Sequence, residues 1–87
     1  MEPAVTLEQT DAQGRYSNFF KIGYNAFEFL LDFGQAYAGD DSTHVHTRIV
    51  ITPPYAKALA ELLNGSLSHY ESSYGEIPAA LAEEDNA

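Results

Sequence analysis

The sequence predicts a small α+β domain, in which an antiparallel three-stranded sheet is followed by one amphipathic helix in the order β-β-β-α. Two observations carry this prediction. Three segments have apolar side chains at every second position, as in strands with one buried face. A fourth segment follows Thr52-Pro53-Pro54 and has apolar side chains at helical spacing. The 87 residues leave room for one core. We therefore expect a two-layer unit, with the helix packed across the sheet.

Each predicted strand has one apolar face. The first, within residues 16–24, has on that face Tyr16, Phe20, Ile22 and Tyr24. The second, residues 26–33, has Phe27, Phe29, Leu31 and Phe33, with Glu28 and Asp32 on the opposite face. The third, residues 44–51, has Val45, Thr47, Ile49 and Ile51 inward, with His44, His46 and Arg48 outward. A Gly/Asp/Ser-rich loop at residues 34–43 separates the second strand from the third.

The helix is expected to begin at Pro53, because Thr52 can cap its first amides and a proline there lacks an amide that needs a partner. It should end before Gly75 and carry an apolar stripe of Tyr55, Ala58, Leu59, Leu62, Leu63 and Tyr70. The predicted organisation is a flexible lead-in at residues 1–14, a single domain at 15–75 and an acidic tail at 76–87.

The composition excludes several classes of function. Four basic residues stand against 13 acidic ones, a formal charge of −9, and seven of the acids lie outside residues 15–75. Binding to nucleic acid or an anionic membrane needs the opposite sign of charge, so we expect neither partner. The absence of cysteine excludes disulfides and thiolate metal sites. No long apolar run or secretory signal is evident, so we expect a cytoplasmic protein.

A core this small usually needs a disulfide, a metal or self-association, and the chain has no cysteine. We therefore expect a homo-oligomer, either a dimer or a tetramer. Phe19 and Val50 project from the polar sides of their strands, and the small residues Gly65 and Ser66 could admit a neighbouring backbone. The residues predicted to form the interface are Phe19, Val50, Tyr55, Leu59, Leu62, Gly65 and Ser66.

The strongest candidate for chemistry is the pair His44 and His46. Residues two apart on a strand share a face, so two imidazoles could bind zinc with Glu28 or Asp32 as a third ligand. Glu28 and Asp32 would themselves lie ~13 Å apart, too far to act together on one bond. We expect these carboxylates to be solvated and to face Arg48 and Lys21.

His69 with Ser66 and Ser68 lacks the surroundings of an activated nucleophile. The sequence therefore predicts no enzyme and no cofactor. The zinc-assisted enzyme that uses His44 and His46 is kept as an alternative.

The strings YSNF, EFLLDFGQ, HTRIVITP, AK and YGEIP, spread over residues 15 to about 76, resemble the bacterial and archaeal family called domain of unknown function 3467. This resemblance supports the domain boundaries and implies no site. The passage Pro54-Tyr55-Ala56-Lys57 is also similar to the strand-to-helix passage of SecB-type export chaperones. That similarity implies a tetrameric holdase, which binds unfolded chains in apolar grooves.

The first functional hypothesis is thus a non-enzymatic, homo-oligomeric protein-interaction module, in which a sheet edge or helix face binds another protein. The SecB-like holdase subunit and the zinc-assisted enzyme are the alternatives.

Overall fold

A computed structural model describes residues 10–39 and 42–80. It contains the strands β1 (Phe19–Tyr24), β2 (Phe29–Ala36) and β3 (Thr43–Ile51), followed by the helix α1 (Pro53–Tyr74). The strands form one antiparallel sheet in the order β1-β2-β3. The predicted α+β class and the element order β-β-β-α are confirmed. Within the described ranges, no helix is long and apolar enough to cross a membrane.

The turn between β1 and β2 is organised by the side chain of Asn25. Its Oδ1 accepts hydrogen bonds from the backbone amides of Phe27 (2.7 Å) and Glu28 (3.0 Å), and the backbone amide of Asn25 donates to the Glu28 carbonyl (3.0 Å). An Asx turn of this kind replaces strand pairing over residues 25–28. Consequently β2 begins at Phe29, three residues later than predicted, and continues past Gly34 to Ala36.

A β-bulge lies in β3, opposite the step between Phe33 and Gly34. Phe33 pairs with Thr47 and Gly34 pairs with Val45, so His46 is an additional residue in β3. Directly paired residues share a sheet face. The bulge therefore places Val45 on the face of Gly34, whereas simple alternation had predicted the face of Ile49. The bulge also pairs His44 with Gln35, on the face of Phe33, so the prediction that His44 points outward with Arg48 is wrong.

Gly34 permits the close approach of β2 and β3 beside this bulge. A Cβ atom at Gly34 would collide with the backbone carbonyl of His44 and lie 3.0 Å from the Cα of Val45. Gly34 itself is buried. Glycine is needed at this position because the space is occupied by backbone, which cannot rotate away as a flexible side chain could.

Helix α1 has the bounds that the sequence predicts. Pro53 begins it, and Gly75 ends it with a φ of 98° and an amide that donates to the Glu71 carbonyl (2.9 Å). Thr52 differs from expectation, because its side chain makes no capping hydrogen bond. Only its carbonyl contributes, by accepting from the Ala56 amide (2.9 Å). After Gly75 the chain lies back along the helix, where the Ile77 amide donates to the Glu71 carboxylate (2.9 Å).

The helix does not cover the sheet of its own chain, as a two-layer unit would require. No residue of α1 is buried, and the extensive packing between elements is that of β2 with each of its neighbours. One residue, Thr52, connects β3 to α1, and Pro53, which follows it directly, restricts its backbone to an extended conformation. The chain is correspondingly open. Its radius of gyration is 15.2 Å, compared with about 12 Å for a compact domain of this length.

Candidate functional site

One face of the sheet, named here the apolar sheet face, is apolar on all three strands. Its members are Phe20, Ile22, Tyr24, Phe29, Leu31, Phe33, Ile49 and Ile51. Two aromatic pairs cross between β1 and β2 on this face, Phe20 edge-on to Phe33 and Tyr24 stacked on Phe29, with ring centroids 5.8 and 5.4 Å apart. No member is buried, and 69% of Tyr24 is exposed. The face is therefore ordered by its own pairs but is left open to solvent.

The opposite face carries a row of charges across the three strands. Lys21 and Arg48 each pair in register with Asp32 on the central strand. The Arg48 guanidinium donates two hydrogen bonds to the Asp32 carboxylate, from Nε (2.7 Å) and from an Nη (2.9 Å). These bonds, with a smaller contribution from the charge of Lys21, hold the pKa of Asp32 below its usual value. The same hydrogen bonds to Asp32 raise the pKa of the Arg48 guanidinium.

The burial of Asp32 corrects one expectation. The sequence predicts a solvated carboxylate opposite Arg48 and Lys21, and the partners are confirmed. Yet Asp32 is only 8% exposed, while none of the described hydrophobic residues is buried. Arg48 extends over it with most of its own side chain in solvent. The ion pair therefore covers Asp32 and fixes β3 against β2.

A second apolar surface, the apolar helix stripe, runs along one side of α1. It comprises Tyr55, Ala58, Leu59, Leu62, Leu63 and Tyr70. Tyr55 and Leu62 are 70% and 71% exposed. At 100° per residue, Ser66 lies within this stripe, and Gly65, seven residues after Ala58, lies at its edge. A Cβ at Gly65 would meet nothing within 4 Å. The stripe thus has no partner within the described part of the chain.

Phe19 and Val50 lie on the charged face, as the sequence predicts. Phe19 pairs with Gly34, and Val50 pairs with Leu30. Phe19 is half-buried, and Val50 is exposed. Phe19 and Val50 lie on the opposite side of the sheet from the apolar sheet face. One flat interface therefore cannot bury these two residues together with the apolar sheet face.

The two histidines are not arranged as a metal site. The Nε2 of His46 lies 3.0 Å from the Tyr16 carbonyl oxygen, and its Nδ1 lies 2.8 Å from the Thr47 hydroxyl. A carbonyl only accepts, so Nε2 carries the proton, and in the neutral ring Nδ1 accepts from Thr47. Both nitrogens of His46 are therefore engaged. No group of three or more potential ligands occurs within residues 10–39 and 42–80.

The expected third ligands also lie apart from the histidines. Asp32 is engaged by Arg48, and Glu28 belongs to the turn that precedes β2. His44 pairs with Gln35 near the C-terminal end of β2, whereas Glu28 precedes the N-terminal end of this strand. His69, together with Ser66 and Ser68, lies on the exposed surface of α1.

The comparisons with known proteins identify a family. The family model described as "Protein of unknown function (DUF3467)" matches residues 1–79. The chain belongs to the DUF3467 family. This confirms the resemblance found from the sequence. No curated protein and no solved structure matches the chain.

In this DUF3467 chain, the YSNF segment has a role in the fold that sequence reasoning missed. The Ser17 hydroxyl donates to the Gly34 carbonyl (2.8 Å). The Asn18 side-chain amide bonds both backbone groups of Ala36, at 2.8 and 3.1 Å, in the manner of a strand neighbour. Adjacent Ser and Asn before an apolar run is a signal for such backbone capping. The backbone amide of Asn18 also donates to the Gly34 carbonyl (3.1 Å). Ser17 and Asn18 are thus held beside the sheet by their side chains and by this backbone bond, and strand pairing begins at Phe19.

Proposed function

We propose that this DUF3467 protein is a self-associating protein-interaction module without enzymatic activity of its own. One observation carries the proposal. The apolar sheet face and the apolar helix stripe are both open to solvent, and no hydrophobic side chain in the described ranges is buried. Monomeric soluble proteins rarely expose contiguous apolar surface on this scale, and such surfaces usually mark sites of association.

The total accessible surface supports association. It is 7682 Å², whereas a folded monomer of this mass exposes about 5,100 Å². The excess is about 2,600 Å² per chain, and obligate interfaces bury about 2,000–5,000 Å² in total. An excess of this size is in the range that an obligate interface buries.

The distribution of charge also supports association. No Asp, Glu, Lys or Arg belongs to the apolar sheet face or to the apolar helix stripe, although the chain carries a net charge of −9. Charged residues are depleted from the centres of protein interfaces because their desolvation costs free energy. The acidic residues elsewhere would keep the assembly soluble.

The holdase is the second candidate, and the same open apolar sheet face favours it. An exposed apolar surface can bind the apolar segments of unfolded proteins as well as a defined partner. A net negative charge around such a surface would limit aggregation of the complex. The two candidates differ in whether the surface is still accessible in the assembled protein.

Native mass spectrometry of the untagged protein at micromolar concentration tests self-association. We expect a dimer or a tetramer without bound metal. The Leu62→Ser oligomer should have a higher dissociation constant than the wild type, because an apolar contact of the helix stripe is lost. Glu61→Ser is the matched control, since it introduces the same residue one position away on the polar side. A monomeric wild-type protein would refute the proposal.

Suppression of aggregation separates the module from the holdase. A chemically denatured client protein is diluted into buffer with and without the DUF3467 oligomer, and light scattering is followed. We expect no suppression if the apolar sheet face is covered by assembly. Strong suppression at equimolar ratio, lost on Ile22→Asp, would favour the holdase instead.

A further inference from the structure

We propose that a second copy of the chain forms the layer that covers the sheet. In this arrangement the apolar helix stripe of each copy packs on the apolar sheet face of the other, around a two-fold axis. The inference rests on the proposed self-association and specifies which surfaces meet. It assigns the partner as an identical chain and the interface as reciprocal helix-on-sheet packing.

The first argument is that the helix is held away from its own sheet. Thr52 alone connects β3 to α1, and its φ of −81° and ψ of 160° are extended. A residue before proline is restricted to this region, and each proline fixes its own φ. Pro53 and Pro54 thus restrict two successive backbone positions. Short connections that cannot fold back favour exchange of the following element between copies.

The second argument is that the two surfaces match in size. The 22 residues of α1 make a helix about 33 Å long. The strands contain six to nine residues, which gives the sheet a length of about 20–30 Å. Three strands are about 10 Å wide between the outer two, close to the diameter of one helix. One helix is therefore long enough and wide enough to cover one sheet face.

The third argument is chemical. Both surfaces lack charged side chains, so their contact would bury no carboxylate or ammonium group. The polar side of α1, with Lys57 and Glu61, would stay in solvent. On the other side of the sheet, Asp32 is already covered by Arg48. The apolar sheet face is therefore the side that gains from being covered, and the charged face is the side that can remain outside.

A two-fold dimer satisfies both copies at once. In an isologous interface each surface patch meets its counterpart reciprocally, so two helix-on-sheet contacts form together. Each copy then has the two layers that a small α+β domain needs to exclude water from a core. A helix-to-helix dimer would leave both apolar sheet faces exposed, so it removes less apolar surface from water.

Cysteine cross-linking tests the inference, because the natural chain contains no cysteine. Two full-length single variants, Ile22→Cys on the apolar sheet face and Leu62→Cys on the helix stripe, carry tags of different mass and are co-refolded. A short bis-maleimide is then added, and the products are resolved by mass. We expect the mixed product, joined between position 22 of one chain and position 62 of the other, to dominate. Glu61→Cys in place of Leu62→Cys should give several-fold less of it.

The alternatives give different products. Cross-links predominantly between two copies of the Leu62→Cys chain would overturn the inference in favour of helix-to-helix packing, while self-association would stand. In a chain that carries both Ile22→Cys and Leu62→Cys, an intramolecular link, with a monomer in native mass spectrometry, would overturn both proposals. If Ile22→Cys fails to fold by circular dichroism, Ile49→Cys on β3 gives a second position on the same face. Absence of the mixed product from both sheet positions would refute the arrangement.

Discussion

Gly34 lies where β2 and the bulge in β3 come closest. We predict that Gly34→Ala destabilises the protein by about 1–3 kcal/mol, because a methyl group would have to displace the backbone at His44 and Val45. Urea denaturation followed by circular dichroism at fixed protein concentration measures the change. Gly23→Ala is the control, since a Cβ there meets nothing within 4 Å. Equal stability losses in the two variants would contradict the assigned role of the bulge.

Asp32 should make the protein sensitive to acid. Its pKa is lowered in the folded state by the hydrogen bonds from Arg48. The stabilisation is therefore fully present above the unfolded-state pKa of about 3.9 and is lost as the pH falls through the lower folded-state value. We predict that wild-type stability declines below about pH 4, and that Asp32→Asn is less stable at pH 7 but has a shallower acid decline.

Urea midpoints measured across the acid range check this prediction. Glu61→Gln removes the same charge from the polar side of α1 and serves as the control, whose acid decline should follow that of the wild type. If the curves of Asp32→Asn and wild type were parallel, Asp32 would not be the responsible group.

Among the secondary-structure elements, the connection between β3 and α1 decides where the helix can pack. An insertion of about six Gly and Ser residues between Thr52 and Pro53 spans about 13 Å on average, enough for a helix to lie about 10 Å above its own sheet. We predict that this insertion converts the oligomer to a monomer with the same helix content. Sedimentation velocity and circular dichroism measure the two properties.

The same insertion placed directly after Gly39, in the loop between β2 and β3, is the control and should leave the oligomer intact. An unchanged oligomer with both insertions would argue against exchange of the helix.

Gly65 lies in the interior of α1, where glycine is about 1 kcal/mol less favourable than alanine. We predict that Gly65→Ala stabilises the protein by up to about 1 kcal/mol, because alanine restricts the unfolded chain and the added methyl group meets no atom within 4 Å. Thermal unfolding measures this change. A clear destabilisation, with Ser66→Ala neutral, would instead place Gly65 at a close contact with another backbone, as its inclusion among the predicted interface residues requires.

The predictability of each element from sequence follows from how local its determinants are. The bounds of α1 follow from Thr52-Pro53-Pro54 and Gly75, which act within a turn of the helix ends. The bulge at His46 depends on which residue of β2 it faces, and that is not encoded near His46. The start of β2 was missed because the Asn25 side chain takes over the amides of Phe27 and Glu28.

The candidate site was predictable only in part. Periodicity identified the apolar sheet face and the helix stripe, because alternation and helical spacing report which side chains need covering. Which surface packs against which depends on the three-dimensional arrangement of distant segments. From the sequence alone, we expected the helix to pack on the sheet of its own chain. The structure instead leaves the two surfaces apart, because the Thr52 connection constrains the helix.

At the scale of the whole molecule, stability should depend on protein concentration. If folding requires a partner chain, unfolding also dissociates the dimer, and a tenfold increase in concentration adds about 1.4 kcal/mol to the apparent stability of the dimer. We predict that the midpoint of urea unfolding rises between 1 and 100 µM chain, a range of about two decades. A midpoint that does not change over this range would indicate that each chain folds alone.

The charge row formed by Lys21, Asp32 and Arg48 has a consequence for the size of the assembly. A sheet that is apolar on both sides could stack on further sheets without limit, as in fibrils. Here only one side invites stacking, since the other presents charges on the central strand and on both edge strands. Once the apolar side is covered, growth has no second surface on which to continue. In the proposed assembly the charge row therefore limits further stacking, and we expect a closed particle of defined size.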